Sequence, residues 1–437
     1  MSRWTNIIED LLSRVTDIGN TILVNSNTDS ETLSLSEKCK ALLSNVGEAT
    51  GLARSRDILE DYKNLDKAEQ LAFFQQIYAD CGVNEDLLRK SVSEWLKHPS
   101  KVEARYIHSI SEPRSQELIR RLNLAYGGTA ALVKMREDLL QHTKTDPSLV
   151  ALDKDFQHLF TSWFNNGFLR LERISWSTPA SILEKIIAYE AVHEIQGWDE
   201  LRLRVAAHDR RLYAFFHPSL SDEPLIFVEV ALTDDMPDNI SSILSGDRET
   251  LDPHLASTAV FYSISNCQTG LRGISFGNFL IKQVVEELKR ELPNLKRFVT
   301  MSPVPGLRRW IDSKPALEPT MQKLVDELTP LHNKPDKVFI EENQRLLYKL
   351  AAHYLLEAKH KNGGPFDPVS KFHLGNGARL EQINLWADES KRGFAGSWGI
   401  MVNYEYDLNS IEINHEHFLR EGTISTSPTV KRLYTNS

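Results

Sequence analysis

The sequence predicts a two-domain α+β protein, with an N-terminal, all-α helical bundle followed by an α/β domain built on a mixed central sheet. A chain of 437 residues is longer than one compact core usually holds. Up to about residue 168 the apolar residues recur at helical spacing, whereas beyond Trp176 short β-branched and aromatic runs alternate with helical stretches. We therefore expect a helical domain over residues 1–172 and an α/β domain over residues 173–437.

The helical part contains a recognisable helix start and several amphipathic segments. Asp66 stands three residues before Glu69 and ahead of the apolar run LAFFQQIY, which is the pattern of a capping box. Further segments at helical spacing follow in EDLLRKSVSEWL and SQELIRRLNLAY. Antiparallel helices packed as a bundle explain these patterns most simply, and their apolar stripes predict self-association.

Composition and charge exclude several classes of protein. Lys plus Arg number 51 against 60 Asp plus Glu, and a net charge of −9 lacks the basic excess typical of nucleic-acid binding. No apolar run approaches the roughly 20 residues needed to cross a bilayer. The three scattered cysteines predict free thiols, and an N-terminus that reaches acidic residues at once is unlike a transit peptide. We expect a cytoplasmic protein that binds neither membranes nor nucleic acids.

The stretch from Thr258 to Gly306 is typical of a strand, a glycine-containing loop, a helix and a second strand. This order presents unpaired backbone N–H groups and the positive end of a helix dipole to a phosphate. Gly270, Gly273 and Gly277 would let the backbone approach an anion closely. The loop therefore predicts a phosphate-binding turn.

Two motifs compete for this loop, and they imply different chemistry. Residues 273–277 spell G-x-S-x-G, which would make Ser275 the nucleophile of a serine thioesterase. A nucleophile elbow requires the strand to run straight into the serine, however, and here the segment NCQTGLR separates the strand from Gly273. The alternative, R-x-x-S-x-G from Arg272 to Gly277, is similar to the Q/R-x-x-G-x-G/A diphosphate loop of acetyltransferase-like (GNAT) acyl-CoA-binding folds, with Ser275 in place of the middle glycine.

Longer motifs carry a family resemblance. The α/β part contains, in this order, HPSLSDEPLIFVEVAL, FYSIS, GLRGISFGNFLIKQVVEELKREL, KRFVTMSPVPGLRRWI, FHLGNGARLEQINLWAD and GIMVNYEYDL. Together they resemble the malonyl-CoA decarboxylase family over roughly residues 177–408. The resemblance implies a helical bundle followed by a GNAT domain, and a carboxy-lyase that converts malonyl-CoA to acetyl-CoA in fatty acid metabolism or malonate catabolism. It also implies homo-oligomers of two or four chains.

The resemblance further implies a set of site residues. Ser302 of MSPVPG and His373 of FHLGNGA would be the catalytic pair, with Ser263, Tyr406 and Asp407 as supporting residues. The CoA diphosphate would bind to the loop formed by Arg272, Gly273, Ile274, Ser275, Phe276, Gly277 and Asn278.

The chemistry itself requires no cofactor. Loss of carbon dioxide from a malonyl thioester leaves electron density that the thioester carbonyl can hold as an enolate, so we expect no metal, biotin or pyridoxal phosphate. The reaction does need an oxyanion site and a proton donor for the α-carbon. Because an imidazole titrates near working pH, His373 is our candidate for that donor, and it would hold the malonyl carboxylate together with Ser302. The proton would then reach the α-carbon from His373 either directly or through Ser302.

Three other functions remain open at the level of sequence. An acyl-CoA N-acetyltransferase would need an acceptor amine, a thioesterase using Ser275 would release free CoA, and a helical interaction protein that only senses acyl-CoA would bind without turnover.

Near the proposed histidine, Asn376-Gly377 has the sequence of a type I′ turn, which we expect to position His373 rather than to take part in the reaction.

Overall fold

The computed structural model describes residues 15–16, 33–44, 47–220, 222–274, 280–329, 337–360 and 363–435. The chain divides into two compact units. As far as they are described, the first comprises Met1–Leu169, His217–Glu223 and Gln268–Phe276, and the second comprises Arg170–Phe216, Pro224–Cys267 and Gly277–Ser437. The loop assigned to phosphate therefore begins within the first unit. The proposed domain division at residues 172 and 173 stays a prediction.

The long segment of the first unit is helical, as the sequence predicts. Its helices are α1 (Leu35–Leu42), α2 (Glu48–Lys63), α3 (Lys67–Asp80), α4 (Glu85–Lys97), α5 (Lys101–Ile110), α6 (Arg114–Leu122), α7 (Gly128–His142) and α8 (Val150–Trp163). The predicted capping box at α3 is confirmed, because the Asp66 carboxylate accepts the N–H of Ala68 and Glu69 while the Glu69 side chain accepts the N–H of Asp66. No helix among the described residues is long and apolar enough to cross a membrane.

A mixed sheet of eight strands organises the described part of the second unit. The strands are β1 (Arg170–Ile174), β2 (Arg210–Phe216), β3 (Pro224–Thr233), β4 (Thr258–Asn266), β5 (Arg297–Thr300), β6 (Ser302–Pro303), β7 (Arg379–Asn384) and β8 (Met401–Glu405). Their order is β1-β2-β3-β4-β5-β8-β6, with β7 paired to β8. Only β4 and β5 pair in parallel; the other neighbours are antiparallel. The predicted α+β class with a mixed central sheet is confirmed.

Helices occupy the connections of this sheet. They are α9 (Ala180–Tyr189), α10 (Trp198–Val205), α11 (Ser241–Leu244), α12 (Leu280–Glu291), α13 (Leu307–Asp312), α14 (Pro319–Leu328), α15 (Lys337–Glu342), α16 (Gln344–Glu357), α17 (Pro368–Gly375), α18 (Lys391–Ser397), α19 (Ile411–Glu421) and α20 (Pro428–Thr435). The apolar side of α9 packs with α10 and strands β2 and β3 in one buried cluster that includes Ile186, Leu201 and Phe227. Burial of such apolar faces fixes the helices on the sheet.

The parallel pair of strands parts at its carboxyl end. The ladder between β4 and β5 ends at Phe261 opposite Thr300. Beyond that point β4 continues to Asn266, whereas β6 pairs with β8 instead. The pairing of the two central strands therefore ends next to the predicted catalytic serine.

Candidate active site

Ser302 and His373 meet although 71 residues separate them in the chain. Ser302 begins β6, and His373 lies in the last turn of α17, which begins at Pro368 directly after the N-cap Asp367. The Ser302 Oγ atom lies 3.2 Å from His373 Nε2, and both residues are buried. The structure therefore brings the predicted catalytic pair into hydrogen-bond contact.

The pair belongs to a longer chain of buried hydrogen bonds. His373 Nδ1 lies 2.7 Å from the Tyr406 hydroxyl, on the other side of the ring from Ser302. Ser302 Oγ donates to Thr300 Oγ1 at 2.8 Å, and the same oxygen accepts the backbone N–H of Tyr404 at 3.0 Å. Each polar side-chain atom in this series of hydrogen bonds, from Tyr406 to Thr300, thus has a partner, which a buried network requires.

The proton positions follow from this network. Burial raises the pKa of Tyr406 well above its usual range, so in the resting site the phenol keeps its proton and donates a hydrogen bond to His373 Nδ1. The imidazole proton is then on Nε2, facing Ser302. We assign this tautomer because Ser302 gives its own proton to Thr300.

The surroundings keep His373 uncharged. Burial lowers its pKa to about 3. Its ring stacks on the Tyr404 ring with centroids 4.7 Å apart and planes 22° apart, and the Tyr404 hydroxyl lies 2.6 Å from Ser370 Oγ. A neutral imidazole can donate one N–H to a bound carboxylate without adding charge to a buried site.

A β-bulge lies in β4 beside this site. Ser263 pairs with Glu229 of β3, and Phe261 pairs with Val230, so Tyr262 is the extra residue of the bulge. Neighbouring residues of β3 face opposite sides of the sheet. Ser263 and Phe261 therefore point to opposite faces.

The contacts of the two side chains agree with this register. The Phe261 ring lies 6.3 Å from the ring of Tyr406, on the side of the catalytic pair. The Ser263 hydroxyl donates instead to the Glu190 carboxylate, 2.8 Å from each oxygen. The supporting role proposed for Ser263 stays a prediction, and its route to the reaction runs through Glu190 or through the backbone of the bulge.

Asp407 has a local structural role in this arrangement. Its carboxylate accepts the N–H of Asn409 and the hydroxyl of Ser410, at 3.1 and 2.8 Å, just before α19 begins. The partner of His373 is therefore the Tyr406 phenol rather than the neighbouring carboxylate.

The prediction of a type I′ turn at Asn376-Gly377 is wrong. Asn376 caps the end of α17, and Gly377 follows it with a φ of 82°. A helix end explains the same Asn-Gly pair because glycine tolerates this conformation.

Sequence reasoning missed two carboxylates near the site. Asp367 caps α17 through the N–H of Val369 and Ser370, and its other oxygen accepts Gly306 N–H and the Tyr354 hydroxyl. An Asp before a Pro is a helix-start pattern and could have indicated this cap.

Glu190 had no comparable signal in the sequence. It accepts the N–H groups of Val192 and His193 next to it, but also the hydroxyls of Ser263 and Ser265, which are 73 and 75 residues away. Only the folded chain brings the carboxylate to these serines.

The described part of the predicted CoA loop is a type II β-turn. Ile274 N–H donates to the Leu271 carbonyl at 3.0 Å, Arg272 has φ −57° and ψ 129°, and Gly273 has φ 81°. Gly273 provides the positive φ that this turn requires. The remaining loop residues, Ser275, Phe276, Gly277 and Asn278, lie outside the described residues.

Comparisons with known proteins identify the family to which both parts of the chain are similar. The family model for the malonyl-CoA decarboxylase N-terminal domain matches residues 81–164, and the model for the C-terminal domain matches residues 167–437. The mitochondrial malonyl-CoA decarboxylases of Anser anser anser and Rattus norvegicus are 36% and 35% identical, over 73% and 74% of this chain and 69% and 71% of theirs.

Solved structures give the same result over nearly the whole chain. The crystal structure of malonyl-CoA decarboxylase from Rhodopseudomonas palustris is 49% identical with a TM-score of 0.87, covering 91% of this chain and 98% of that one. The enzyme from Agrobacterium vitis is 48% identical with a TM-score of 0.84, covering 92% and 99%. The chain therefore belongs to the malonyl-CoA decarboxylase family.

Proposed function

We propose that this protein decarboxylates malonyl-CoA to acetyl-CoA and carbon dioxide, with Ser302, His373 and Tyr406 as the reacting and proton-carrying groups. The observation that carries the proposal is the buried chain from Tyr406 through His373 to Ser302, with distances of 2.7 and 3.2 Å. This series of hydrogen bonds joins a hydroxyl, a neutral imidazole and a phenol that can resupply the imidazole with a proton. It lies at the point where the pairing of β4 and β5 ends.

The first step is the loss of carbon dioxide. On binding, the Ser302 hydroxyl would turn its proton from Thr300 to the malonyl carboxylate, and His373 Nε2 would donate its proton to the same group. These two hydrogen bonds would turn the carboxylate out of the plane of the thioester. The bond between the carboxylate and the α-carbon then breaks, and its electron pair forms the enolate of the acetyl thioester. The buried surroundings favour this step because they solvate the localised charge of a carboxylate poorly, whereas the enolate spreads the same charge over the α-carbon and the thioester oxygen.

The second step is protonation of the α-carbon. The enolate carbon takes the proton from His373 Nε2, while His373 Nδ1 takes the proton of the Tyr406 hydroxyl. Solvent then returns a proton to Tyr406, and the site is restored. The assignment rests on the tautomer in which Tyr406 donates to Nδ1.

The CoA portion would bind through the turn at Arg272 to Ile274 and the residues that follow it. The exposed Arg272 side chain and the positive φ of Gly273 support a diphosphate site there. No metal, biotin or pyridoxal phosphate enters the proposed reaction, since the thioester carbonyl itself accepts the electron pair.

The location, the oligomeric state and the metabolic role of the protein are also proposals. A cytoplasmic location fits the three cysteines, which are buried and form no disulfide within the part of the chain that the structure describes. A homo-oligomer fits helices α4 and α5, which bury none of their residues fully and expose Leu96 and Val102. The family resemblance supports a role in fatty acid metabolism or malonate catabolism.

A product assay on malonyl-CoA tests the reaction, with no amine added and a chelator present. Wild type should release acetyl-CoA and carbon dioxide, and Ser302→Ala and His373→Ala should each lower kcat by about 10²–10⁴-fold, as loss of an acid–base group does. Ser177→Ala and His254→Ala change exposed residues of the same types and serve as matched controls.

Four results would contradict the proposal. Undiminished turnover in both variants would reject the residues. Release of free CoA would favour a thioesterase, and dependence on an added amine would favour a transferase. Loss of turnover in the chelator would reject the metal-free reaction.

A further inference from the structure

A buried arginine of α7 holds the turn that opens the CoA loop. Arg136 is 1% exposed and pairs with Asp153 of α8, Nε to Oδ1, at 2.8 Å. Its Nη1 donates to the Gly270 carbonyl at 2.7 Å, and its Nη2 donates to the Arg272 carbonyl at 2.9 Å. Each nitrogen of the guanidinium thus has an acceptor, which is the condition for burying such a charge.

The turn approaches α7 so closely that only glycine fits at residue 270. A Cβ atom on Gly270 would lie 1.9 Å from the carbonyl oxygen of Val133. The backbones of helix and turn therefore touch, which places the two loop carbonyls within reach of the Arg136 side chain. The turn cannot move away from α7 without losing both charge-assisted hydrogen bonds.

Arg136 also fixes the direction of one peptide group in the turn. The C=O and N–H of a trans peptide point in opposite directions. Since the Arg272 carbonyl is directed at Arg136, the Gly273 N–H of the same peptide points away from this buried side chain. A type I turn would have this peptide flipped, so the hydrogen bond selects the type II form that is observed.

We propose that Arg136 is a positioning residue for the CoA diphosphate. It holds the peptide between Arg272 and Gly273 so that the exposed Gly273 N–H faces the phosphate oxygens. Without the guanidinium, the peptide can take either orientation, and part of the binding energy is used to select one. The inference rests on the proposed function, because it takes the diphosphate of malonyl-CoA as the ligand of this turn.

Two substrates separate this role from a merely structural one. S-malonylpantetheine carries the same reacting thioester as malonyl-CoA but lacks the diphosphate. Arg136→Lys should raise KM for malonyl-CoA about tenfold, as loss of a hydrogen bond to a charged group does, with kcat within about twofold of wild type. For S-malonylpantetheine, kcat/KM should stay at the wild-type value.

Matched variants complete the experiment. Lys134→Gln removes a positive charge from the exposed side of the same helix and should change neither substrate. Asp153→Asn keeps Arg136 but weakens its anchor, and it should give a smaller rise of KM with the same selectivity for malonyl-CoA. This variant also provides the test if Arg136→Lys does not fold.

The outcomes distinguish the role of Arg136 from the assignment of the CoA diphosphate to this turn. An equal loss with both substrates would mean that Arg136 only supports the fold, and it would overturn the inference. A wild-type enzyme that uses both substrates equally well would overturn the assignment of the diphosphate to this turn, and the inference with it. The decarboxylation chemistry would stand in either case.

Discussion

Burial determines the protonation state of His373. Its pKa is lowered to about 3, against 6.5 for an ordinary histidine. Between these values the unfolded chain binds a proton that the folded chain does not bind. The contribution of the neutral imidazole to stability is therefore fully present above about pH 6.5 and is lost as the pH falls towards 3. Burial lowers the pKa of His193 to about 4, which adds an effect of the same sign.

We expect the free energy of unfolding to fall on acidification below about pH 6.5, by at most about 1.4 kcal/mol per pH unit for each such histidine. His373→Gln removes the share of His373, so the slope between about pH 4 and 6 should become shallower. Urea unfolding at a series of pH values measures this slope of the free energy of unfolding. His254→Gln, at an exposed position, should leave the slope unchanged. The same slope in wild type and His373→Gln would show that His373 is not held neutral by burial.

At the scale of elements, one carboxylate ties three segments around the site. Asp367 caps α17, which carries His373. Its second oxygen accepts the Gly306 N–H, just after the Ser302 strand, and the Tyr354 hydroxyl of α16, both at 3.0 Å. The positions of the catalytic histidine and serine therefore depend on the same buried group.

Asp367→Asn should destabilise the protein by about 1–3 kcal/mol, because the amide group cannot accept both of the hydrogen bonds that Oδ2 accepts. It should also lower kcat, since α17 loses its attachment to the serine segment. Asp66→Asn alters an exposed helix cap and should cost less than about 0.5 kcal/mol, as Asn caps helices equally well. Thermal unfolding and the decarboxylation assay measure both effects. Equal, small changes in the two variants would contradict the role of Asp367.

At the scale of the whole molecule, helices α4 and α5 leave apolar side chains exposed. Leu96 is 66% exposed and Val102 is 78% exposed, although both helices have polar residues that could have taken these positions. Exposed apolar side chains on two helices that contact each other indicate a contact with another protein surface. A second copy of this chain is the partner that the proposed oligomer requires.

We expect Leu96→Asp and Val102→Asp to reduce the molar mass in solution, because a charge at an apolar contact must be desolvated. Light scattering coupled to size-exclusion chromatography measures the mass. Ser109→Asp adds the same charge at an exposed polar position of α5 and should have no effect. A monomeric wild type would refute the oligomer, and an unchanged mass in both variants would refute the α4 and α5 surface.

The sequence by itself determined the features that depend on near neighbours in the chain. The capping box of α3 joins residues three apart, and the change from helical to strand-like patterns separates the bundle from the sheet. The family motifs indicated Ser302 and His373, which the fold places 3.2 Å apart. These features follow from local geometry, or from motifs long enough to be recognised as they stand.

Only the tertiary structure decided which of the remaining residues act together. Arg136 reaches carbonyls 134 and 136 residues away, and Glu190 binds a serine 73 residues away. One extra residue in β4 turns Ser263 away from the face of Phe261. No local pattern encodes such contacts, because they depend on the path of the chain between the partners and on the register of the strands.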